Sequence, residues 1–169
     1  MYSLRFFAEN MRDMKRRRNK MDQNYKLLQS VVENARTGAD ACDQLLKKTQ
    51  DAKMRDELMI EKQHYEQCAR DAEKAISDMG HHPHPKGMAA RCSMWMGMEM
   101  NTMIDRTSTH IAEMLIEGAT MGIVEMTKAK NTFTDAGAHA QGIASNMIVK
   151  QQEAIERLKG FLMQKQAAK

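Results

Sequence analysis

Apolar residues recur every three or four positions along most of this chain, which is the spacing of amphipathic helices. The first clear stripe defines helix A at about 22–49, and a second defines helix B at about 52–79. Because very few residues separate them, the two helices are expected to pack antiparallel. Gly80, with prolines at 83 and 85 after it, is expected to end helix B.

The second half of the chain repeats this plan. A hydroxyl side chain at 107–109 can cap helix D, which runs to about residue 131, and helix E follows a turn at 135–137. Between the halves, residues 86–106 predict a short helix with methionines around its whole circumference. The predicted fold is all-α, with four long helices as two antiparallel hairpins plus this short Met-rich linking helix.

The first twenty residues have a different character. Their weak apolar period comes from Leu4, Phe7, Met11 and Met14. They also contain a basic block formed by Lys15, Arg16, Arg17, Arg18 and Lys20. We therefore divide the chain into a basic N-terminal arm or docking helix at 1–20 and a helical bundle domain at 21–169. The block could contact nucleic acid or anionic lipid, although such blocks are more often solvated tails.

Composition and charge restrict the class of protein further. Only two prolines and 5% aromatic residues are present, which favours helices over strands. A formal net charge of +4 with interspersed signs does not by itself imply nucleic acid. Three widely spaced cysteines, no stretch of about 18 apolar residues and no signal-peptide pattern predict a cytoplasmic protein.

One short motif points to metal chemistry. In Glu61-Lys62-Gln63-His64, a carboxylate and an imidazole lie on adjoining turns of one helix face. Glu61 also falls inside the apolar stripe of helix B, where an unpaired carboxylate is costly. A bound cation is one way to compensate its charge.

Loop lengths suggest which other carboxylates reach the level of Glu61. If the A–B turn is centred near residues 50–51, Asp40 lies opposite Glu61. The offsets between helices bring Glu117 on helix D and Glu156 on helix E to the same level. Such a set of oxygen and imidazole ligands suits iron or manganese. A second Glu-x-x-His motif is missing, so exposed or salt-bridged carboxylates are the alternative.

The layout also resembles a known group of proteins. Glu61-Lys62-Gln63-His64-Tyr65-Glu66 on helix B, the Met79-Gly80-His81-His82-Pro83 turn, a short Trp-containing helix and a Glu-bearing helix D resemble uncharacterised bacterial families of ferritin-like four-helix bundles. The likeness covers about residues 22–165. It implies a ferritin-like bundle that holds iron or manganese for storage, oxidation or stress protection.

Two further readings stay open. Cys92, Met96, Met100 and Met103 share a helix face and are soft ligands that suit Cu(I), but methionine commonly fills gaps between helices, so copper is less favoured than iron or manganese. The other reading is a metal-free structural or self-associating helical module, and a homo-oligomer is expected. No phosphate loop, nucleophile elbow or dinucleotide fingerprint indicates an enzyme class.

Overall fold

A computed structural model describes residues 2–84 and 105–162, with side chains described from residue 9 onward. It contains four helices: α1 (Tyr2–Leu46), α2 (Ala52–Asp78), α3 (Ser108–Thr132) and α4 (Ala138–Leu162). They correspond to the predicted helices A, B, D and E and pair as the hairpins α1–α2 and α3–α4. The predicted all-α bundle of four long helices is therefore confirmed. Residues 86–104 of the predicted Met-rich helix lie outside the described part of the chain.

The helix ends follow the capping residues in the sequence. Asp51 caps α2 by accepting a hydrogen bond from the backbone N–H of Met54 at 2.7 Å. Thr107, one of the three predicted caps, accepts from the backbone N–H of His110 and starts α3. Gly80 ends α2 with a φ of 75°, in the left-handed region that glycine enters without a steric penalty.

Helix α1 is longer than the sequence pattern predicted. Helix A was expected from about residue 22, but α1 is continuous from Tyr2 to Leu46. Every side chain from residue 9 to residue 22 is exposed, so the N-terminal part of α1 extends beyond the bundle. The division into an arm at 1–20 and a bundle domain at 21–169 stays a prediction.

The apolar core consists of two clusters at opposite ends of the bundle. One contains Leu28, Val32, Ile76, Met126 and Met147. The other contains Leu45, Leu58, Ile111, Leu115 and Leu158. Full burial of one such side chain contributes roughly 1.5–3 kcal/mol, so these clusters supply the main driving force for folding. Polar side chains lie between them.

The described helices are amphipathic and carry charges along their outer faces. Within residues 2–84 and 105–162, none of them is long and apolar enough to cross a membrane.

Candidate functional site

Two polar layers separate the two apolar clusters. We call the first the charged layer: Glu57, Glu61 and His64 from α2 with Arg157 from α4. We call the second the amide layer: Asn34 from α1, Tyr65 from α2, Gly122 from α3 and Gln151 from α4. Glu57, Glu61 and Gln151 are buried, whereas Arg157 and His64 are about one-third exposed, so the hydrogen bonds of the buried groups decide the free-energy cost of each layer.

In the charged layer one guanidinium joins two carboxylates. Glu57 and Glu61 are four residues apart on α2 and are 8% and 3% exposed. The Nε of Arg157 donates to Glu57 Oε1 at 2.7 Å, and its Nη2 donates to Glu61 Oε1. The interaction neutralises part of the charge that burial makes expensive.

The layer holds more negative than positive charge when both carboxylates are ionised. Burial raises the pKa of Glu61 to about 7, Arg157 opposes this rise, and the neighbouring Glu57 adds to it. Because this pKa lies near neutrality, Glu61 is partly protonated near pH 7. The charged layer is therefore able to take up or release a proton in the physiological range.

His64 lies beside this pair without a hydrogen bond of its own. Its Nδ1 is buried, has no hydrogen-bond partner among the described residues and lies 3.8 Å from Glu61 Oε1. Burial and then the positive charge of Arg157 lower the pKa of His64. The imidazole is therefore neutral at pH 7, and one of its nitrogens can act as an acceptor or a ligand.

The other three residues predicted for the metal site are placed differently. Asp40, Glu117 and Glu156 are all exposed, and Glu156 pairs with Lys159 at 2.6 Å. The structure thus corrects their expected inward orientation. Each lies on its helix beside the buried stripe and not within it; Ala41, for example, is buried while Asp40 faces water.

Only Glu61 and His64 of the predicted ligands come together. Over residues 2–84 and 105–162, no group of three or more His, Cys, Asp or Glu side chains is arranged to hold a metal ion. The guanidinium of Arg157 also lies against both buried carboxylates and would repel a cation there. The arrangement does not fit a carboxylate site for two metal ions, although metal uptake itself stays a prediction.

The amide layer is a directed chain of hydrogen bonds. Asn34 Nδ2 donates to the carbonyl of Gly122 at 3.1 Å, which turns Asn34 Oδ1 toward Gln151. Gln151 Nε2 then donates to Asn34 Oδ1 at 3.1 Å. This order assigns the nitrogen and oxygen positions of both side-chain amides. If Gln151 had the opposite orientation, its oxygen would face the oxygen of Asn34, and an oxygen of an amide cannot donate a hydrogen bond. Gln151 Oε1 is left buried and, within the described part of the chain, without a partner.

Glycines allow the helices to approach closely at this layer. A Cβ added to Gly38 would lie 2.5 Å from the ring of Tyr65, and one added to Gly122 would clash with Gln151 Nε2. The absence of a side chain at both positions therefore permits the helices to approach closely. Burial raises the pKa of the Tyr65 hydroxyl.

A cavity of about 60 Å³ lies between α1 and α3 beside the amide layer. Its wall is mostly apolar or small and includes Gly38, Leu115, Ala119, Met126 and Gln151. Two carboxylates, Glu33 and Glu125, also line it, and none of its lining residues is basic. This mainly apolar lining with a few polar groups is like that of small-ligand pockets, but the cavity is well below the roughly 300–1,000 Å³ of pockets for drug-sized ligands.

The described cysteines do not provide a reactive thiol. Cys42 and Cys68 are free and buried. Burial raises the pKa of both thiols, that of Cys68 to about 11, so little thiolate exists at pH 7. The predicted copper ligands Cys92, Met96, Met100 and Met103 lie outside the described residues.

A crystal structure of a DUF305 fragment from Deinococcus radiodurans has a similar fold. The TM-score is 0.67, and the likeness covers 83% of this chain and 95% of that chain at 14% sequence identity. The two proteins share a fold. No family model and no curated protein matches the chain. The likeness supports the helical bundle, while membership of the ferritin-like superfamily stays a prediction.

Sequence reasoning missed Arg157, Glu57 and Gln151 as members of the buried layers. Glu57 had a signal, because it precedes Glu61 by four residues and so shares its helix face. Two carboxylates on one buried face require a cation, and Arg157 beside the apolar Leu158 was a candidate. Gln151 had no comparable signal, since its partner Asn34 is 117 residues away.

Proposed function

We propose that this chain is a small-ligand-binding helical bundle, and that its ligand is a small alkylamine held in the cavity between α1 and α3. The observation that carries this proposal is Gln151 Oε1, a buried acceptor without a described partner on a residue of the cavity wall. An unsatisfied buried acceptor costs about 1–3 kcal/mol. A ligand with an N–H group would satisfy it.

The charges of the cavity wall indicate which chemical class of hydrogen-bond donor the ligand belongs to. Glu33 and Glu125 line the cavity and none of its lining residues is basic, which favours an ammonium over a carboxylate, although Lys128 outside the wall pairs with Glu125 at 3.3 Å. Leu115, Ala119 and Met126 offer apolar surface to an alkyl chain. A cavity of about 60 Å³ corresponds to roughly two waters at about 30 Å³ each, which limits the enclosed part of a ligand to a few heavy atoms. Propylamine is a suitable probe.

Binding is tested by calorimetry with propylamine, propanol and propionate, followed by NMR of the Gln151 and Asn34 side-chain amides. We expect the affinity order amine, alcohol, acid, with an amine Kd on the order of millimolar for so few atoms. The amide signals of Gln151 should shift with amine and alcohol. Equal or undetectable binding of all three probes would contradict the proposal.

Substitutions inside and outside the cavity wall test where propylamine binds. Glu125→Gln should weaken propylamine binding toward that of propanol, whereas Glu113→Gln, an exposed carboxylate of α3 outside the cavity wall, should not. Ala119→Leu should fill the cavity and abolish binding of both probes while the far-UV circular dichroism spectrum is retained. Binding that survives Ala119→Leu in a folded protein would place the ligand elsewhere.

Iron or manganese binding is a second candidate, supported by the unpartnered Nδ1 of His64 next to Glu61. It requires Arg157 to leave the carboxylates. Plasma mass spectrometry on protein purified without chelators or an affinity tag, before and after anaerobic loading with ferrous iron, is the test. About one or two equivalents lost in Glu61→Ala/His64→Ala would support a metal site for storage, oxidation or stress protection, in line with the stoichiometry of ferritin-like bundles.

Absence of bound metal in that experiment would leave the metal-free bundle. The proposed amine site does not depend on this result, because the cavity wall contains neither Glu61 nor His64. The homo-oligomer, the cytoplasmic location and the copper site also stay predictions.

A further inference from the structure

The N-terminal part of α1 projects from the bundle. Helix α1 has 45 residues, whereas α2, α3 and α4 have 25 to 27. At about 1.5 Å per residue, the extra length is roughly 27–30 Å. Asn19 Nδ2 still reaches the α3–α4 turn, donating to Asp135 Oδ2 at 3.1 Å. Residues before it extend past that turn with their described side chains in solvent.

Three large apolar side chains are exposed on this segment. Met11, Met14 and Met21 are 39%, 61% and 45% exposed. With successive residues about 100° apart around a helix, the three share an arc about 80° wide. Leu4 and Phe7 continue the same spacing in the sequence. An exposed apolar stripe of this kind requires a partner to cover it.

Three of the six basic side chains lie beside or within that stripe, whereas Arg12, Arg16 and Lys20 lie on the opposite side of the helix. Lys15 and Arg17 lie about 40° outside its two edges, and Arg18 lies within it. Glu9 and Asp13 point more than about 100° away from its centre. Residues 9–22 contain six basic and three acidic side chains, a formal charge of +3. The third acidic residue, Asp22, lies at the bundle end and pairs with Lys26 at 2.7 Å.

We infer that this segment of α1 docks on an anionic membrane surface. An interfacial helix buries its apolar stripe at the boundary of the headgroups, keeps basic side chains at headgroup level on both flanks and turns acidic ones to water. The methionines flanked by Lys15 and Arg17, with Glu9 and Asp13 turned away, match that arrangement, while Arg12, Arg16 and Lys20 remain on the water side. Nucleic acid would bind the basic side chains alone and leave the methionines in water, so the stripe favours lipid.

Vesicle co-sedimentation with the full chain tests this docking. The probes are phosphatidylcholine vesicles with and without about one-third phosphatidylserine, at low and at physiological salt. We expect binding to the anionic vesicles only, weaker at higher salt. Removing two basic residues from the stripe flanks, as in Lys15→Ala/Arg17→Ala, should lower the partition coefficient on the order of 30-fold.

A second pair of variants separates lipid from other polyanions. Met11→Ser/Met14→Ser should also lose vesicle binding, whereas Met59→Ser, an equally exposed methionine on α2, should not. Binding that survives Met11→Ser/Met14→Ser, or tighter binding to a DNA or RNA duplex than to anionic vesicles, would overturn the membrane assignment. No binding to anionic vesicles would overturn it as well. The amine site stands or falls separately, because its lining residues begin at Ser30.

Discussion

The charged layer and the amide layer occupy neighbouring levels of one bundle but are satisfied in opposite ways. In the charged layer every buried carboxylate has a partner, because Arg157 donates to both Glu57 and Glu61. In the amide layer the hydrogen bonds run in one direction and end on an acceptor, Gln151 Oε1, without a described partner. The carboxylates of the first layer are paired within the chain, although the buried Nδ1 of its His64 has no described partner, and the second layer leaves an acceptor open to a donor.

The difference follows from the donor and acceptor inventory of the side chains. A guanidinium carries five donors in a fixed fork and can satisfy two carboxylates at once. A primary amide has both donors and acceptors, so a chain of amides has a free end unless it closes on another group. A cavity beside that free end makes the amide layer the better candidate for binding, and the charged layer the better candidate for stability.

The largest expected effect comes from breaking the charged layer. Arg157→Leu leaves Glu57 and Glu61 buried without their cation, so we expect a loss of about 3 kcal/mol in the free energy of unfolding. Urea unfolding at pH 7 measures it. Lys159→Leu, two residues on, removes only the exposed pair with Glu156 and should change stability by less than about 0.5 kcal/mol.

A rescue variant tests the physical reason. If the loss arises from uncompensated charge, adding Glu57→Gln and Glu61→Gln to Arg157→Leu should restore a large part of the stability. If the triple variant is no more stable than Arg157→Leu alone, the guanidinium acts through packing of its alkyl stem and not through charge.

Loop lengths predicted the level of the charged layer along the bundle but not which side chains face inward. The sequence brought Glu61 to the level of Glu156, and the structure places Arg157 of the same turn against Glu61. One residue along a helix rotates the side chain by about 100°, so Glu156 is exposed while Arg157 points inward. The position of a residue along the bundle depends on where the turns lie. The direction of its side chain depends on packing between helices that are distant in sequence.

The glycines give a second comparison between the two halves of the bundle. Gly38→Ala inserts a Cβ 2.5 Å from the Tyr65 ring, and overpacking of this kind costs about 1–3 kcal/mol. The better helix propensity of alanine returns up to about 1 kcal/mol, so we expect a net loss of about 1–2 kcal/mol. Gly142→Ala meets open space in α4 and should instead stabilise by about 0.5–1 kcal/mol. Thermal unfolding distinguishes the two signs, and equal effects would mean that Tyr65 can move aside freely.

Gly38 and Gly122 also mark the limit of sequence reasoning for the amide layer. Their small size allows the close helix approach that the structure shows at Tyr65 and Gln151. The identity of the approaching side chains was not predictable, because it depends on how α1 packs against α2 and α3 against α4. The cavity results from the same packing and has no local sequence signal.

The smallest predicted effect is the pH dependence of the charged layer. The pKa of Glu61 is about 7 in the folded chain against 4.5 as its ordinary value, mainly because of burial. The folded chain therefore binds more protons than the unfolded chain between these values, and this group's contribution to stability is lost as pH rises through about 7.

Between about pH 6 and about pH 8 the wild-type chain should lose about 1 kcal/mol relative to Glu61→Gln, whose side chain does not titrate. His64, whose pKa is lowered by burial, contributes the opposite slope below its ordinary value of 6.5, and because it lies 3.8 Å from Glu61, adding His64→Gln to both chains removes this contribution. Urea unfolding of both proteins across this range measures the difference, and a constant offset would show that Arg157 keeps Glu61 ionised throughout.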